Sequence, residues 1–229
     1  MKKRVIVISL GGSLIVPDKV DIEFLEEFRR ALRKRYNRWK FIIVCGGGSI
    51  ARKYIEALKK EGAKKREVSL AGIRATRMNA LFLIQVFGDE ANGALPKDMV
   101  DVENELKKNN AVICGALRYA DNETSDGTAA KLARHFKCDF INITNVKGLY
   151  DKDPGKFRDA MLIKKIGWKE FEKMATNMPF SAGQHFILDQ EASRIINKYK
   201  IRTYISGRDM KQTGRILEGE DFTGTLISG

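Results

Sequence analysis

The chain has 229 residues, 43% hydrophobic and 31% charged: long enough to bury a core without staples and too balanced in composition to be a disordered segment. No apolar run approaches the ~20 residues of a membrane span, and the opening MKKRVIVISLGG runs from its apolar stretch straight into glycines, which is a strand pattern rather than a secretory leader. The formal charge of +13, from 42 Lys and Arg against 29 Asp and Glu, admits nucleic acid or small polyanions as partners, but its spread over helical-looking segments favours a solvated basic surface over a nucleic-acid interface.

The first predicted strand is Arg4 to Leu10, a near-continuous apolar run of the kind buried on both faces of a parallel sheet. Gly11, Gly12 and Ser13 follow it. A helix from Asp21 then places Leu25, Phe28, Leu32 and Tyr36 on one face. The second strand is Phe41 to Cys45, followed by Gly46, Gly47, Gly48 and Ser49 and a helix from about Ile50 to Lys60. A long helical pattern covers Val68 to Phe87, and the turn-rich Gly88 to Lys97 is a loop. A polar helix, Asp98 to Lys108, leads to a short strand, Ala111 to Cys114, and a loop, Gly115 to Glu123. The helix from Ser125 to Lys137 carries Ala129, Leu132, Ala133 and Phe136 at helical spacing.

A strand at Asp139 to Ile143 comes next, then a long loop from Thr144 to Arg158. The tail adds a short helix near Trp168, a loop from Met178 to Gln184, a helix from Asp189 to Tyr199 and a strand from Arg202 to Ser206. Strands alternating with amphipathic helices predict an α/β fold, an αβα sandwich around a mainly parallel sheet. Cys45, Cys114 and Cys138 are too scattered for a zinc or disulfide framework and suit buried, reduced thiols in a cytoplasmic protein.

Two glycine clusters end two buried strands and lead into helices. Ligands of open parallel sheets sit at the carboxyl ends of the strands, and glycine there lets backbone N–H groups approach phosphate oxygens. The helix start behind each cluster adds free donors and partial positive charge. The two clusters together predict a cradle for two neighbouring phosphates, although neither is a P-loop or a dinucleotide fingerprint. Arg52, in the first turn of the helix expected from Ile50, suits bidentate phosphate contact, and position alone equally suits an exposed helix arginine. Asp126 follows Thr124 and Ser125 at a helix start, where a carboxylate either steadies the helix or organises cations at the sheet edge. His135 and His185 form no metal or triad pattern, and Asp151 and Asp153 flank a turn before Pro154.

In this order and spacing, these segments resemble the amino-acid kinase superfamily and, within it, the short archaeal-type UMP kinases. The resemblance spans essentially the whole chain. It rests on Gly11-Gly12-Ser13, on Gly46 to Arg52, on Gly72 to Ala80 in the long helix, on Thr124-Ser125-Asp126, on Ile143 to Pro154, and on Phe222-Thr223-Gly224-Thr225. It implies one amino-acid kinase domain over 1–229, with an acceptor lobe at about 1–137 and an ATP lobe at about 138–229. It implies transfer of the terminal phosphoryl group of ATP, with Mg²⁺, to UMP, with a different acidic acceptor or a non-catalytic nucleotide-sensing or nucleic-acid-binding protein on the same fold as the alternatives, and a homo-oligomer, a hexamer built from dimers.

The roles it implies are these. Gly12, Ser13 and Gly48 hold ATP phosphates with Arg52. Thr144, Asn145, Tyr150 and Asp153 frame the adenosine. Gly47, Ser69, Thr124 and Ser125 meet UMP, and Asp126 organises the phosphate-binding cations, with Asp126 and Arg52 as the catalytic pair. Three positions depart from the pattern: Ser9 stands where many relatives have a lysine, Ser69 where the UMP branch usually has an aspartate, and Lys147 where an aspartate is common. Transfer to an ionised phosphate needs alignment and charge neutralisation more than a covalent nucleophile, which fits a chain with no obvious catalytic His or Cys.

Overall fold

A computed structural model describes residues 3–117, 124–177 and 187–229. The chain opens with β1 (Arg4–Leu10), a single-turn helix α1 (Gly12–Ile15), α2 (Ile22–Arg33) and β2 (Trp39–Cys45). Two helices follow without an intervening strand, α3 (Gly48–Lys60) and α4 (Lys65–Phe87), and then α5 (Met99–Lys108) and β3 (Ala111–Cys114). The second half holds α6 (Ser125–Phe136), β4 (Phe140–Ile143), β5 (Lys165–Ile166), α7 (Trp168–Asn177), α8 (Gln190–Tyr199), β6 (Thr203–Ser206), α9 (Met210–Glu218) and β7 (Thr225–Ile227).

Among the described residues the seven strands form one sheet, in the order β3-β2-β1-β4-β6-β7-β5, parallel throughout except where β7 runs antiparallel to β6. Strand periodicity explains the two cores. Ile6, Ile8 and Leu10 of β1 point to one face with Phe41, Ile43 and Cys45 of β2, and meet α2, α4 and α9 through Phe24, Phe28, Ala80, Leu83 and Met210. Val7, Ile42 and Val44 point to the other face and meet α5, α6, α7 and α8 through Val102, Leu132, Phe171 and Ile196. Helices therefore cover both faces, as the apolar strands require. The αβα sandwich expected from the sequence is the fold observed.

Strand and helix ends mostly fall within two residues of expectation. The departures have local causes. The helix after the second glycine cluster starts at Gly48 rather than Ile50, so Arg52 lies beyond its first turn. Helix α1 has four residues, and β5 and β7 have two and three, too short to show a period. Helix α9 was open to prediction from its Asp209 cap and from Gly219, which ends it in the left-handed conformation. The expected loop Gly88 to Lys97 is anchored by Asn92, whose amide bonds both the N–H and the C=O of Ile113 on β3. Cys45 and Cys114 are buried and Cys138 is half-buried; all three are free thiols. The loop Met178 to Gln184, His185, and residues 118–123 of the loop before α6 lie outside the described residues.

Candidate functional site

Strand order reverses at β1. From it the chain moves outward through β2 to β3, whereas β4 pairs on the other side of β1 and begins the run to β6. A crevice opens at such a switch point, beyond the carboxyl ends of the strands. The ends that meet there are Leu10 with Cys45 on one side and Leu10 with Ile143 on the other. The predicted site residues follow directly from these ends.

The two glycine turns lie in backbone contact. A Cβ on Gly12 would collide with the Gly48 nitrogen and sit 2.5 Å from the Gly46 carbonyl oxygen. Gly48 has φ +61° and lies equally tight against the Gly12 carbonyl group, so neither position accepts a side chain. Gly46 N donates to Leu10 O at 2.9 Å, and the buried Asn79 of α4 donates its amide to Gly46 O at 2.7 Å. Gly47 faces α4 at Gly72 and Thr76, and Ser69 is half-buried further up the same helix. Gly11 and Gly47 have no side chain with which to cap α1 and α3, so the N–H groups of those helix starts receive no side-chain cap. Gly12, Ser13 and Gly48 thus lie backbone against backbone, with Gly12 buried and Gly47 turned toward α4.

Helix α4 also organises the stretch after β3. Ala116 N donates to Thr76 Oγ1 at 3.0 Å, Arg77 Nε donates to Ala116 O at 3.0 Å, and an Arg77 terminal nitrogen donates to Leu117 O at 2.6 Å. Gly115 permits the approach, since a Cβ there would lie 2.7 Å from the Arg77 nitrogen. The Gly72 to Ala80 segment is therefore a scaffold that holds the second glycine turn on one side and Ala116 and Leu117 after β3 on the other.

Thr124 caps α6, accepting from Gly127 N at 2.9 Å, which puts Ser125 and Asp126 in its first turn. Asp126 Oδ1 accepts from the hydroxyl of the buried Ser9 at 2.7 Å. Removal from water pushes the Asp126 carboxyl well above the usual carboxylate range. The neighbouring charge of Asp189 pushes it further, and the Ser9 hydrogen bond opposes both. Asp189 is raised as well, chiefly by burial, against the hydrogen bonds it accepts from Thr124 and the start of α8. Ser9, the residue at which the sequence departs from the expected lysine, is thus in direct contact with Asp126 and offers it a hydroxyl.

On the β4 side, Thr144 N donates to Ser206 O at 3.0 Å and Thr144 Oγ1 donates to Asn145 Oδ1 at 3.2 Å, which places both residues at the strand end with Asn145 exposed. Tyr150, half-buried, bridges to Leu162. Thr225 fixes this loop by accepting from Leu149 N at 2.8 Å and donating to Ile163 O at 2.6 Å, which explains the Thr225 end of the last quoted motif. Asp153 is exposed, and its carboxylate accepts from Gly155 N at 2.9 Å, the geometry of a turn residue. Arg52 is exposed on α3. The structure therefore brings Gly12, Ser13 and Gly48 together and sets Asp126 against Ser9 at the end of β1, whereas Arg52 and Asp153 are tied to them by no hydrogen bond or ion pair among the described residues. His135 pairs with Glu103 on an exposed helix face, as an ordinary surface histidine does.

Thr76 and Asn79 were quoted within the Gly72 to Ala80 motif without a role for either, and Asp189 was given none. Asn79 and Thr76 sit mid-helix in an apolar pattern, and a buried polar residue there was a readable signal. Asp189 was read only as the first residue of a helix.

The model of the amino acid kinase family matches residues 4–207. The chain is 36% identical over 224 residues to the uridylate kinase of Thermoplasma volcanium, covering 97% of this chain and 96% of that protein. It is 33% identical over 227 residues to that of Methanocaldococcus jannaschii, covering 98% and 99%. The crystal structure of uridylate kinase from Archaeoglobus fulgidus superimposes with a TM-score of 0.85 at 31% identity, over 97% of this chain and 99% of that one.

Proposed function

We propose, starting from a chain that belongs to the amino acid kinase family, that it transfers the terminal phosphoryl group of MgATP to UMP, giving UDP and ADP. The observation that carries this reading is the pair of glycine turns from adjacent strands, locked backbone to backbone beside Asp126 at the switch point. Full-length likeness to uridylate kinases supplies the acceptor. The reading places the reaction in pyrimidine nucleotide synthesis in the cytoplasm.

In the transfer, the bond from the γ-phosphorus to the β,γ-bridging oxygen breaks and a bond to a UMP phosphate oxygen forms. That oxygen is already ionised at neutral pH, so no general base is required. The chain's task is to align the two phosphates and neutralise charge as it spreads. Backbone N–H groups of Gly12, Ser13 and Gly48 do so for the ATP phosphates, assisted by Arg52, while Thr144, Asn145, Tyr150 and Asp153 line the adenosine side. Mg²⁺ enters with ATP as part of the substrate. Gly47, Ser69, Thr124 and Ser125 meet UMP on the half that holds β1 to β3, the acceptor lobe at about 1–137. The remaining half, about 138–229, is the ATP lobe. Asp126 orients cations at the junction.

Exposed Tyr54 on α3 and Met78 and Leu81 on α4 leave an apolar face on the acceptor half, which supports a homo-oligomer, a hexamer by resemblance. UMP-dependent ADP release by the purified protein tests the reading. ATP hydrolysis without acceptor dependence, or turnover only with an acylated amino acid or a carbamate, would replace it.

A further inference from the structure

Asp189 belongs to none of the motifs that carry the family resemblance, yet two helix starts meet on its carboxylate. One oxygen, Oδ1, caps α8 by accepting from Ala192 N at 2.8 Å. The other, Oδ2, accepts the hydroxyl proton of Thr124, which in turn accepts from Gly127 N to cap α6. The Thr124 side chain is thereby held from both ends. The peptide before Asp189 is anchored to the sheet, since Asn142 of β4 donates to Ile187 O at 2.7 Å. The two helix starts also pack directly, because a Cβ on Gly127 would lie 3.4 Å from Glu191 Cγ.

A cap for α8 needs only one oxygen acceptor, and asparagine supplies one as well as aspartate does. The second oxygen is what an aspartate adds. Its charge comes at a cost, because burial raises the Asp189 carboxyl and the Asp189 charge pushes Asp126 further up. What the arrangement gains is the orientation of Thr124. With asparagine at 189 and α8 still capped, an NH2 group would face the Thr124 hydroxyl, whose proton would lose its acceptor.

We propose that Asp189 is a positioning residue for the acceptor nucleotide: through Thr124 it fixes the start of α6, where the UMP phosphate is received. The inference rests on the UMP-kinase reading of Thr124.

The test is steady-state kinetics on wild type, Asp189→Asn, Thr124→Val, the double variant and Thr124→Ser, each checked by thermal melt. The Asp189→Asn protein keeps the α8 cap and is expected to fold. Its KM for UMP should rise about 10-fold or more, the scale of one lost charge-assisted hydrogen bond, while its KM for MgATP stays within about twofold. Thr124→Val should show the same split, and the double variant should be no worse than the worse single, since one interaction is lost only once. Thr124→Ser retains the hydroxyl and should recover most of the KM loss seen in Thr124→Val. An unchanged KM for UMP in Asp189→Asn, equal rises for both substrates, or additive losses in the double variant would overturn the proposal. Absence of UMP turnover in wild type would remove the parent reading and this one together, whereas normal wild-type turnover with an indifferent Asp189→Asn removes this one alone.

Discussion

Asp126 is held under opposing pressures. Burial and the charge of Asp189 favour its neutral form, and the Ser9 hydroxyl favours the charged one. Because its pKa is higher in the folded chain than in the unfolded one, the folded state binds more protons across the window between the ordinary carboxylate value and the raised one. Stability is therefore full at the acid end of that window and is lost as pH rises through the raised value. Asp126→Asn removes the charge that causes the loss. Between about pH 5 and about pH 8 the melting temperature of the variant should fall less than that of wild type, while kcat drops ~10²-fold, the scale of losing one electrostatic element of the site. A parallel fall in both melting curves would show that Asp126 carries no burden of this kind. Arg52 is a different case. It is exposed and lies past the first turn of α3, so only bound nucleotide gives it a task at this site. Arg52→Ala should lower kcat/KM for MgATP by ~10²-fold with little change in stability, and Arg52→Lys should recover little, because the planar fork grips two oxygens at once. An unchanged kcat/KM would move the cation elsewhere, with Lys53 and Lys147 the next variants to measure.

Helix α4 joins the parts of the site. Its Asn79 satisfies the Gly46 carbonyl in a buried setting, and its Thr76 and Arg77 hold Ala116 and Leu117. Asn79→Ala leaves that carbonyl without its partner and should cost ~1–3 kcal/mol, the range for an unsatisfied buried polar group. It should also weaken MgATP binding, because the turn that carries Gly48 loses its anchor. Denaturant melts and KM for ATP check the two effects, and a stability loss with normal KM would show that the turn is rigid without Asn79. The elements were legible where burial imposes a period: β1, β2, β3, α2 and α6 all follow from apolar spacing. They were not legible where a few residues act through geometry. Helix α1 begins on a glycine and lasts one turn, β5 has only Ile166 buried, and β7 is three residues added antiparallel to the edge of β6. The glycine clusters announced a phosphate-type surface, but their mutual contact did not show in the chain order, because it depends on β1 and β2 being neighbours in register. Asp189 was legible only as the first residue of a helix, since its link to Thr124 spans 65 positions of sequence.

The excess positive charge is a property of the whole molecule. A broad groove crosses the amino ends of the strands, lined by Lys3, Arg4, Lys40, Lys137 and Arg202. It is poorly suited to an anion, because the carboxyl ends of α5, α6 and α9 converge there. Lys40 caps α5 by donating to the Leu106 carbonyl, while Arg4 and Arg202 stack on Trp39 and Tyr204. On that side Lys40 therefore compensates a helix end, Arg4 and Arg202 pack on aromatic rings, and Glu103, Asp139 and Glu218 share the groove. The exposed apolar residues Tyr54, Met78 and Leu81 on α3 and α4 are the second whole-molecule feature. If the proposed homo-oligomer uses this surface, Met78→Glu, on a residue 66% exposed, should shift the protein to a smaller species by light scattering without lowering the stability of the isolated chain; an unchanged mass would remove this surface from the proposal. The central claim concerns the crevice at the β1–β4 switch point, and it is tested most directly by coupled ADP release with MgATP and UMP, CMP or acetylglutamate side by side. The account predicts acceptor-dependent turnover with UMP, weaker turnover with CMP, and none above background with acetylglutamate. Binding of ATP with no UMP-dependent ADP release would contradict it.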